Sequence, residues 1–504
     1  MNTRFFFIVA AWTLAVLLSV AVILSVAAQS DPAFAGADLE PTPTVSEALG
    51  LSMHMPRGAE VTTTYVGRSA TITVVEQGAS PLWQMRIQAM AIPSLENPSP
   101  TGLAEELMKQ LRRGGQVTNI KVNEQRTLAG RAAHLMYVEG SNELLGFLIV
   151  ERDPGRFVVV RISGYAQDYD RIRAALEPSL NTVMVSSVDE VVRERQQQAS
   201  LALTALDSFS PERLRSLVGM SQWYRIYKPD ARGSLIRDRE IGYYRVDVRE
   251  GKRGELNVNR DIDAYAAGEQ EDGLILAIDA RYLENVERGV VADVQIRFWL
   301  SWDRSEESWQ ARVTRRQGEA AITEAEVGVR TPPSLGIQKL KVVKNTVETR
   351  ERDEFDWEVK QPYFSQIEVY LLGSLLPRDG SVSGAMAGQY YESSTTNTVE
   401  LPTRIDSWMP ASDGSGNWIL ESQLMPDLPP VISIFDRAGM LVRRSKSDGS
   451  VTEPIELMRL REIWQQKGLP TGSGSGLDAP APPVTPRPAQ PRQPRQPQPD
   501  RVDR

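Results

Sequence analysis

The sequence predicts an α+β protein: an antiparallel-sheet α/β sandwich followed by a larger, strand-dominated antiparallel sheet, with a half-barrel as one form the second sheet can take. Three observations predict it. Between Leu49 and Val185, strand patterns alternate with two helical ones. From Trp223 onward, strand follows strand across turns rich in Gly and Asp. In the stretch VVADVQIRFWLSWDRSEESWQARVTRR, Val290 to Arg316, residues Val290, Ala292, Val294, Ile296, Phe298, Leu300 and Trp302 share one phase of a period-two pattern. Asp293, Gln295, Arg297, Trp299 and Ser301 share the other, the mark of a strand with one buried face. Asp303 to Glu307 is a polar turn, and Trp309, Ala311 and Val313 resume the apolar phase, which makes a long β-hairpin. Thirteen residues at about 3.3 Å each span roughly 43 Å, a length that suits a large curved sheet.

The expected division is residues 1–28 as signal peptide or membrane anchor, 29–48 as flexible stalk, 49–185 as the first domain, 186–222 as helical connector, 223–469 as the β-rich domain and 470–504 as disordered tail. Phe5 to Ala28 is apolar apart from Thr13, Ser19 and Ser25, with Arg4 ahead of it and acidic residues beyond. Positive-inside logic sends residues 30–504 across the membrane, to a periplasmic or secreted location. Val26-Ala27-Ala28 fits a cleavage site, whereas the run's length suits a retained anchor. In the tail, nine of the 32 prolines lie beyond residue 479. Such a segment buries no core and samples polyproline II.

In the first domain, strands are expected at 51–55, 61–66, 70–76, 83–91, 117–126, 132–139, 146–151 and 157–164. Ser99-Pro100 starts a helix with a capping serine and proline at the first helical position. Leu103, Leu107 and Leu111 form its stripe, and Gly114-Gly115 ends it. A second helix runs from Tyr169 to Leu180. In the connector, a helix is expected within 186–209 and a short one after Ser210-Pro211. In the β-rich domain, helices are expected at Pro362–Leu376 and Pro454–Lys467, and strands at 241–249, 274–283, 290–302, 308–317, 322–329, 338–345, 398–405, 418–424, 431–436 and 440–445.

The stretches GLSMHMPRGAE, LAGRAAHLMYVEG, GRFVVVRISG and DRIRAALEPSLNTV make residues 49–185 resemble the PsbP-like/DcrB superfamily. That resemblance implies an α/β/α-like sandwich around an antiparallel sheet, used for binding and assembly, and supplies no catalytic residue. The segment VISIFDRAGMLVRRSKSDG gives residues 220–467 a weaker resemblance to LolA-like half-barrels, which implies shelter for lipid acyl chains.

Composition narrows the function. The net charge of −8 argues against a nucleic-acid partner, which calls for a basic face. With no cysteine there is no disulfide framework, thiolate metal site or cysteine nucleophile. G-x-S-x-G, P-loop and H-E-x-x-H motifs are absent. His54 and His134, the two histidines, sit mid-strand and read as structural. Asn257 to Asp263 spaces oxygen side chains like a calcium loop, but Ile262 and Gly268 stand where the loop needs glycine and a bidentate glutamate. Glu269 to Asp272 reads as a solvated turn. Trp223, Trp299, Trp302 and Trp309 suit either a ligand groove or core packing. No catalytic residue, metal ligand or cofactor is therefore expected, and no ligand-binding residue is assigned. The expected role is a non-catalytic exported envelope protein that binds or scaffolds a partner. A carrier of an apolar ligand such as lipid, in the second domain, is the alternative, and a hydrolase whose carboxylates meet only in the fold is a third. A cavity near Phe298 and Trp302 would favour the carrier, and a closed core, the default, the scaffold. Membrane association is open through residues 5–28.

Overall fold

The computed structural model describes residues 38–470 except 47, 67–68, 79, 92–97, 234, 236, 258–259, 287, 394–397 and 425–428. The expected leader and the proline-rich tail lie outside the described residues. Among those described, no helix is long and apolar enough to cross a membrane.

The first region is built on a seven-stranded antiparallel sheet. Its strands are β3 (Glu60–Val66), β4 (Ser69–Val75), β5 (Trp83–Ala91), β6 (Asn119–Leu128), β7 (Arg131–Glu139), β8 (Glu143–Asp153) and β9 (Arg156–Tyr165), in the order β3-β4-β5-β9-β8-β7-β6. The strands β1 (Thr44–Ser46), β2 (Leu51–Met53) and β10 (Met184–Val185) form a small separate sheet. Helix α1 (Pro100–Arg113) begins as expected, with the Ser99 side chain accepting from the Gly102 amide. It lays Leu103, Ala104 and Met108 on Met136, Val138, Phe147 and Val159. Helix α2 (Tyr169–Leu180) lays Ile172, Leu176 and Leu180 against the core of Leu135, Leu148, Val160 and Ile162. The central strands are thus buried on both faces, which is why β7 to β9 read as nearly unbroken apolar runs.

Helix α3 (Val188–Asp207) is started by a capping box between Ser187 and Glu190. Its middle, from Val192 to Gln197, is exposed, and its end buries Ala202, Ala205 and Leu206 in the core of the second region. Helix α4 (Pro211–Arg215) follows, and Arg213 donates from Nε to Leu375 O at 2.6 Å and from Nη2 to Leu376 O at 3.0 Å. These carbonyls belong to the end of α5 (Gln366–Leu375), where helix acceptors lack intrahelical donors.

The second region corrects the expected fold class. The structure is about 48% strand and 21% helix, and one nearly closed, barrel-like sheet of 15 strands dominates it. An α+β sandwich class does not describe this chain, although a half-barrel for the second region is compatible with it. Eight strands run consecutively: β11 (Ser221–Lys228), β12 (Arg239–Lys252), β13 (Asp272–Asn285), β14 (Val290–Ser301), β15 (Glu307–Gln317), β16 (Ala320–Arg330), β17 (Gln338–Thr346) and β18 (Arg352–Val359). Seven more complete the sheet: β19 (Tyr363–Phe364), β20 (Gly384–Tyr390), β21 (Thr403–Pro410), β22 (Trp418–Gln423), β23 (Val431–Phe435), β24 (Leu441–Ser445) and β25 (Val451–Ile455). Every neighbour pair is sequential except one, β11 with β25, where Ile226 faces Thr452. That long-range pairing welds two meanders into one sheet. Local periodicity cannot reveal it, because each strand's own pattern is the same in either arrangement.

The two sheet edges, β18 and β19, are joined by only three residues of chain. Gln389 of β20 and the described residues Tyr391 and Thr398 reach across to this edge. Lys360 N donates to Gln389 Oε1 at 2.8 Å, Trp357 Nε1 donates to Thr398 O at 3.1 Å, and the Trp357 and Tyr391 rings lie 5.8 Å apart. Side chains, rather than a ladder, bring the edges together.

Several element boundaries move. The expected helix at 362–376 starts at Gln366, because Ser365 and Glu368 form a capping box there, after the short strand β19. The expected helix from Pro454 starts at Leu457 as α6 (Leu457–Gln466), because Pro454 belongs to β25 and pairs with Tyr224. The strand expected at 398–405 is Thr403–Pro410.

Candidate functional site

The hairpin phase read from the sequence sets the inside of the barrel. Val294, Ile296 and Phe298 of β14 and Ala311 and Val313 of β15 project inward, beside Ile278 of β13 and Ile226 of β11. They form one wall of a cavity of about 240 Å³, well above the ~30 Å³ a water molecule occupies in the liquid. The floor is α5, whose Tyr370 ring sits 5.4 Å from that of Phe298. Phe298 is therefore both packed and cavity-lining. The closed core expected by default has an internal space in it.

The opposite wall, from β21 to β25, is mixed: Leu420 and Val431 line it together with several polar side chains. Arg444 of β24 faces Ser433 of β23 and Thr452 of β25 in the ladders, and Ser433 faces Leu420 of β22. Arg444 donates from Nε to Ser433 Oγ at 3.0 Å. Two residues on, in the same phase, Lys446 also lines the space. Burial, helped by the adjacent Arg444 guanidinium and opposed by Asp448, brings the Lys446 ammonium down to about 8. Arg404 of β21 holds Asp406 with two hydrogen bonds of 2.6 and 2.7 Å, and Ser422 donates to Asp406 at 2.6 Å. Beside them Tyr390 donates to Glu392 Oε2 at 2.9 Å. Arg404 Nη1 and Glu392 Oε1 are buried with no hydrogen-bond partner among the described residues.

A third carboxylate, Glu326 of β16, is saturated. Trp309 Nε1 reaches it at 2.8 Å and Tyr391 OH at 2.9 Å, Ser393 Oγ donates to it, and Lys344 Nζ lies 3.8 Å away. This cluster fastens Tyr391 and Ser393 to the wall. Burial raises the hydroxyls of the lining tyrosines, and Tyr370 is pushed up to about 12, so at neutral pH they stand as neutral donors. Taken together, the arrangement can hold a small amphipathic molecule.

The structure scatters the residues singled out in the sequence. His54 Nδ1 is 2.8 Å from Glu40 O, and His134 sits between Asn123 Oδ1 at 2.7 Å and Thr101 Oγ1 at 3.3 Å, both in the first region. Of the four tryptophans, only Trp309 reaches the cavity. Trp223 packs outside the barrel by Tyr243 and α6. Trp299 is buried on the outer face, with Arg253 above its ring at 5.5 Å. Trp302 lies under Arg215 at 4.4 Å and does not line the cavity. In the calcium-like stretch, Val258 and Asn259 fall outside the described residues, and Arg260 pairs with Glu269 at 2.6 Å. Sequence reading missed Arg404, Arg444, Lys446 and Tyr391. The available signal was period-two placement: Arg404, Asp406 and Trp408 share one phase, as do Arg444 and Lys446.

No family model matches the chain, and no curated protein matches it. Among solved structures, it is similar to PA94, a protein of unknown function from Pseudomonas aeruginosa, over 26% of this chain and 90% of that one, at 13% identity and a TM-score of 0.19. It is also similar to a β-barrel-like protein of the domain of unknown function DUF1849 from Brucella abortus, over 47% of this chain and 98% of that one, at 10% identity and a TM-score of 0.29. Similarity to the immunity protein TplEi from Pseudomonas aeruginosa covers 67% and 94%, at 11% identity and a TM-score of 0.13. None is described as PsbP-like or LolA-like, and at these scores none informs the function.

Proposed function

We propose that this chain is an exported binding protein whose barrel lumen takes up a small molecule with an apolar body. One observation carries the reading: a space of about 240 Å³ inside the barrel, walled on one side by Ile226, Ile278, Val294, Ile296, Phe298 and Val313. A well-packed interior leaves few voids larger than a water molecule, and concave, mainly apolar spaces with a few placed polar groups are where small ligands bind. The cavity turns the preference between the two binding roles away from a scaffold and toward a ligand carrier.

The test uses a neutral fluorescent probe, N-phenyl-1-naphthylamine, and a lumen-filling variant. Ala311 faces inward between Ile296 and Glu326 in the ladders, so Ala311→Phe puts a ring into the space. Saturable probe binding by the native chain, lost in a variant with an unchanged circular dichroism spectrum, is the expected result. Equal binding by both would place the probe elsewhere and end the proposal.

Export rests on the apolar run Phe5 to Ala28, followed by acidic residues. Alkaline phosphatase, active only outside the cytoplasm, should be active when fused after Leu469. A silent fusion, with a cytoplasm-only reporter active at the same site, would contradict export.

A further inference from the structure

Resting on the lumen reading, we infer that the lumen takes an uncharged ligand bearing a carbonyl oxygen, as in a ketone or an ester, which accepts hydrogen bonds from the hydroxyls of Tyr244, Tyr282 and Tyr370. All three side chains line the cavity. The ladder puts the first two on one face: Tyr244 of β12 stands opposite Ala280 of β13, and Tyr282, two residues on, stands opposite Gly242. Glycine makes room there, since a Cβ at 242 would lie 2.3 Å from Arg281 O and 3.1 Å from Cδ1 of Tyr282. Tyr370 comes from α5, its ring beside Phe298. A second, smaller space of about 30 Å³ adjoins the cavity, and Tyr244, Tyr370 and Arg444 line both.

These hydroxyls differ from others in the same region. Tyr227 donates to Glu453, Tyr363 to Glu307, Tyr390 to Glu392 and Tyr391 to Glu326, at 2.7 to 2.9 Å. The hydroxyls of Tyr244, Tyr282 and Tyr370 have no hydrogen-bond partner among the described residues, and none of the three oxygens is sealed off in the way that Arg404 Nη1 and Glu392 Oε1 are. A tyrosine hydroxyl inside a protein usually finds a partner, and an unmet one forfeits that bond. Three unmet hydroxyls on one cavity mark where a polar atom is received.

Burial keeps all three protonated at neutral pH. A phenol donates better than it accepts, because its oxygen shares a lone pair with the ring, and the Arg444 guanidinium nearby only donates. The complement is an acceptor, and a carbonyl oxygen has two lone pairs for two such donors. Charge selects the neutral kind. The charged side chains lining the cavity are Glu326, Glu392, Arg404, Arg444 and Lys446, and Asp406 is bonded to Arg404. Three bases stand against three acids. A charged ligand would carry into this enclosed space a charge with no counterpart, at the cost of its hydration.

The experiment is isothermal titration of the full chain with four probes on one frame: naphthalene, 2-acetylnaphthalene, 2-naphthoate and 2-naphthylmethylammonium. The native chain should bind 2-acetylnaphthalene ten-fold or more tighter than each of the others. In the triple variant Tyr244→Phe, Tyr282→Phe, Tyr370→Phe, the ratio of acetylnaphthalene to naphthalene affinity should fall to about one. The empty triple variant should also melt no lower than the native chain, because the hydroxyls bond no side chain there. Equal native affinities for naphthalene and acetylnaphthalene would overturn the carbonyl assignment and leave the lumen reading standing. Tightest binding of the naphthoate or the ammonium would overturn it in favour of a charged ligand. A preference for acetylnaphthalene that survives in the triple variant would place the acceptor elsewhere and overturn it too. A triple variant that melts lower, or does not fold, would show that the hydroxyls serve the fold and would also overturn it. No binding of any probe by the native chain would overturn both readings.

Discussion

Replacing Arg330 by methionine is expected to destabilise the barrel by about 3–5 kcal/mol, the cost of leaving a buried charge without its partner. Arg330 and Glu307 are both almost wholly buried, and Arg330 Nε lies 3.0 Å from Glu307 Oε1. Glu307 is also where α5 is fastened to the wall. It accepts from Tyr363 OH at 2.7 Å and from the Gln366 amide at 2.9 Å. Arg330 in turn donates from Nη2 to Arg304 O at 2.8 Å, and Arg304 pairs with Glu368 of the helix. Removing the guanidinium thus strands a carboxylate and loosens the floor of the cavity. Urea midpoints of the native and Arg330→Met proteins measure the effect. A loss within 1 kcal/mol would show that water reaches Glu307 and that the network does not hold the floor.

Trp309→Ala carries the second large effect, about 3–5 kcal/mol for emptying a buried tryptophan site. Trp309 is 2% exposed. Its ring lies on Gly328 so closely that a Cβ there would stand 2.0 Å from Cζ2. Only glycine at 328 leaves room for the indole, so the two positions are one packing unit across β15 and β16. Truncation also removes the Nε1 donor from Glu326, one of the bonds in the cluster that holds Tyr391 and Ser393. The unfolding midpoint should fall, and tyrosine fluorescence should report a loosened Tyr391. An unchanged midpoint would mean that neither the indole nor its bond to Glu326 supports closure.

The sequence showed each strand's buried face, because alternation is local. The inward phase from Val290 to Leu300 and the Ser99 cap are both seen in the structure, and the first region's elements lie close to the positions read for them. What alternation could not show is which strands meet. The pairing of Ile226 with Thr452 lies between residues far apart in the chain, and without it the second region reads as two separate sheets. The site was hidden for the same reason. Arg444 and Lys446 in VRRSKS look like a solvated edge until the barrel places them opposite Phe298. Trp299 misled in the other direction: it lies on the outward face, yet the turn containing Arg253 covers it.

The most direct test of lumen binding is a crystal structure of the chain grown with 2-acetyl-6-bromonaphthalene, with anomalous scattering used to place the bromine. The bromine is predicted to lie inside the barrel, against the wall formed by Phe298, Ile296 and the ring of Tyr370. Bromine only on the outer surface, or a lumen holding nothing but ordered water at saturating ligand, would contradict it.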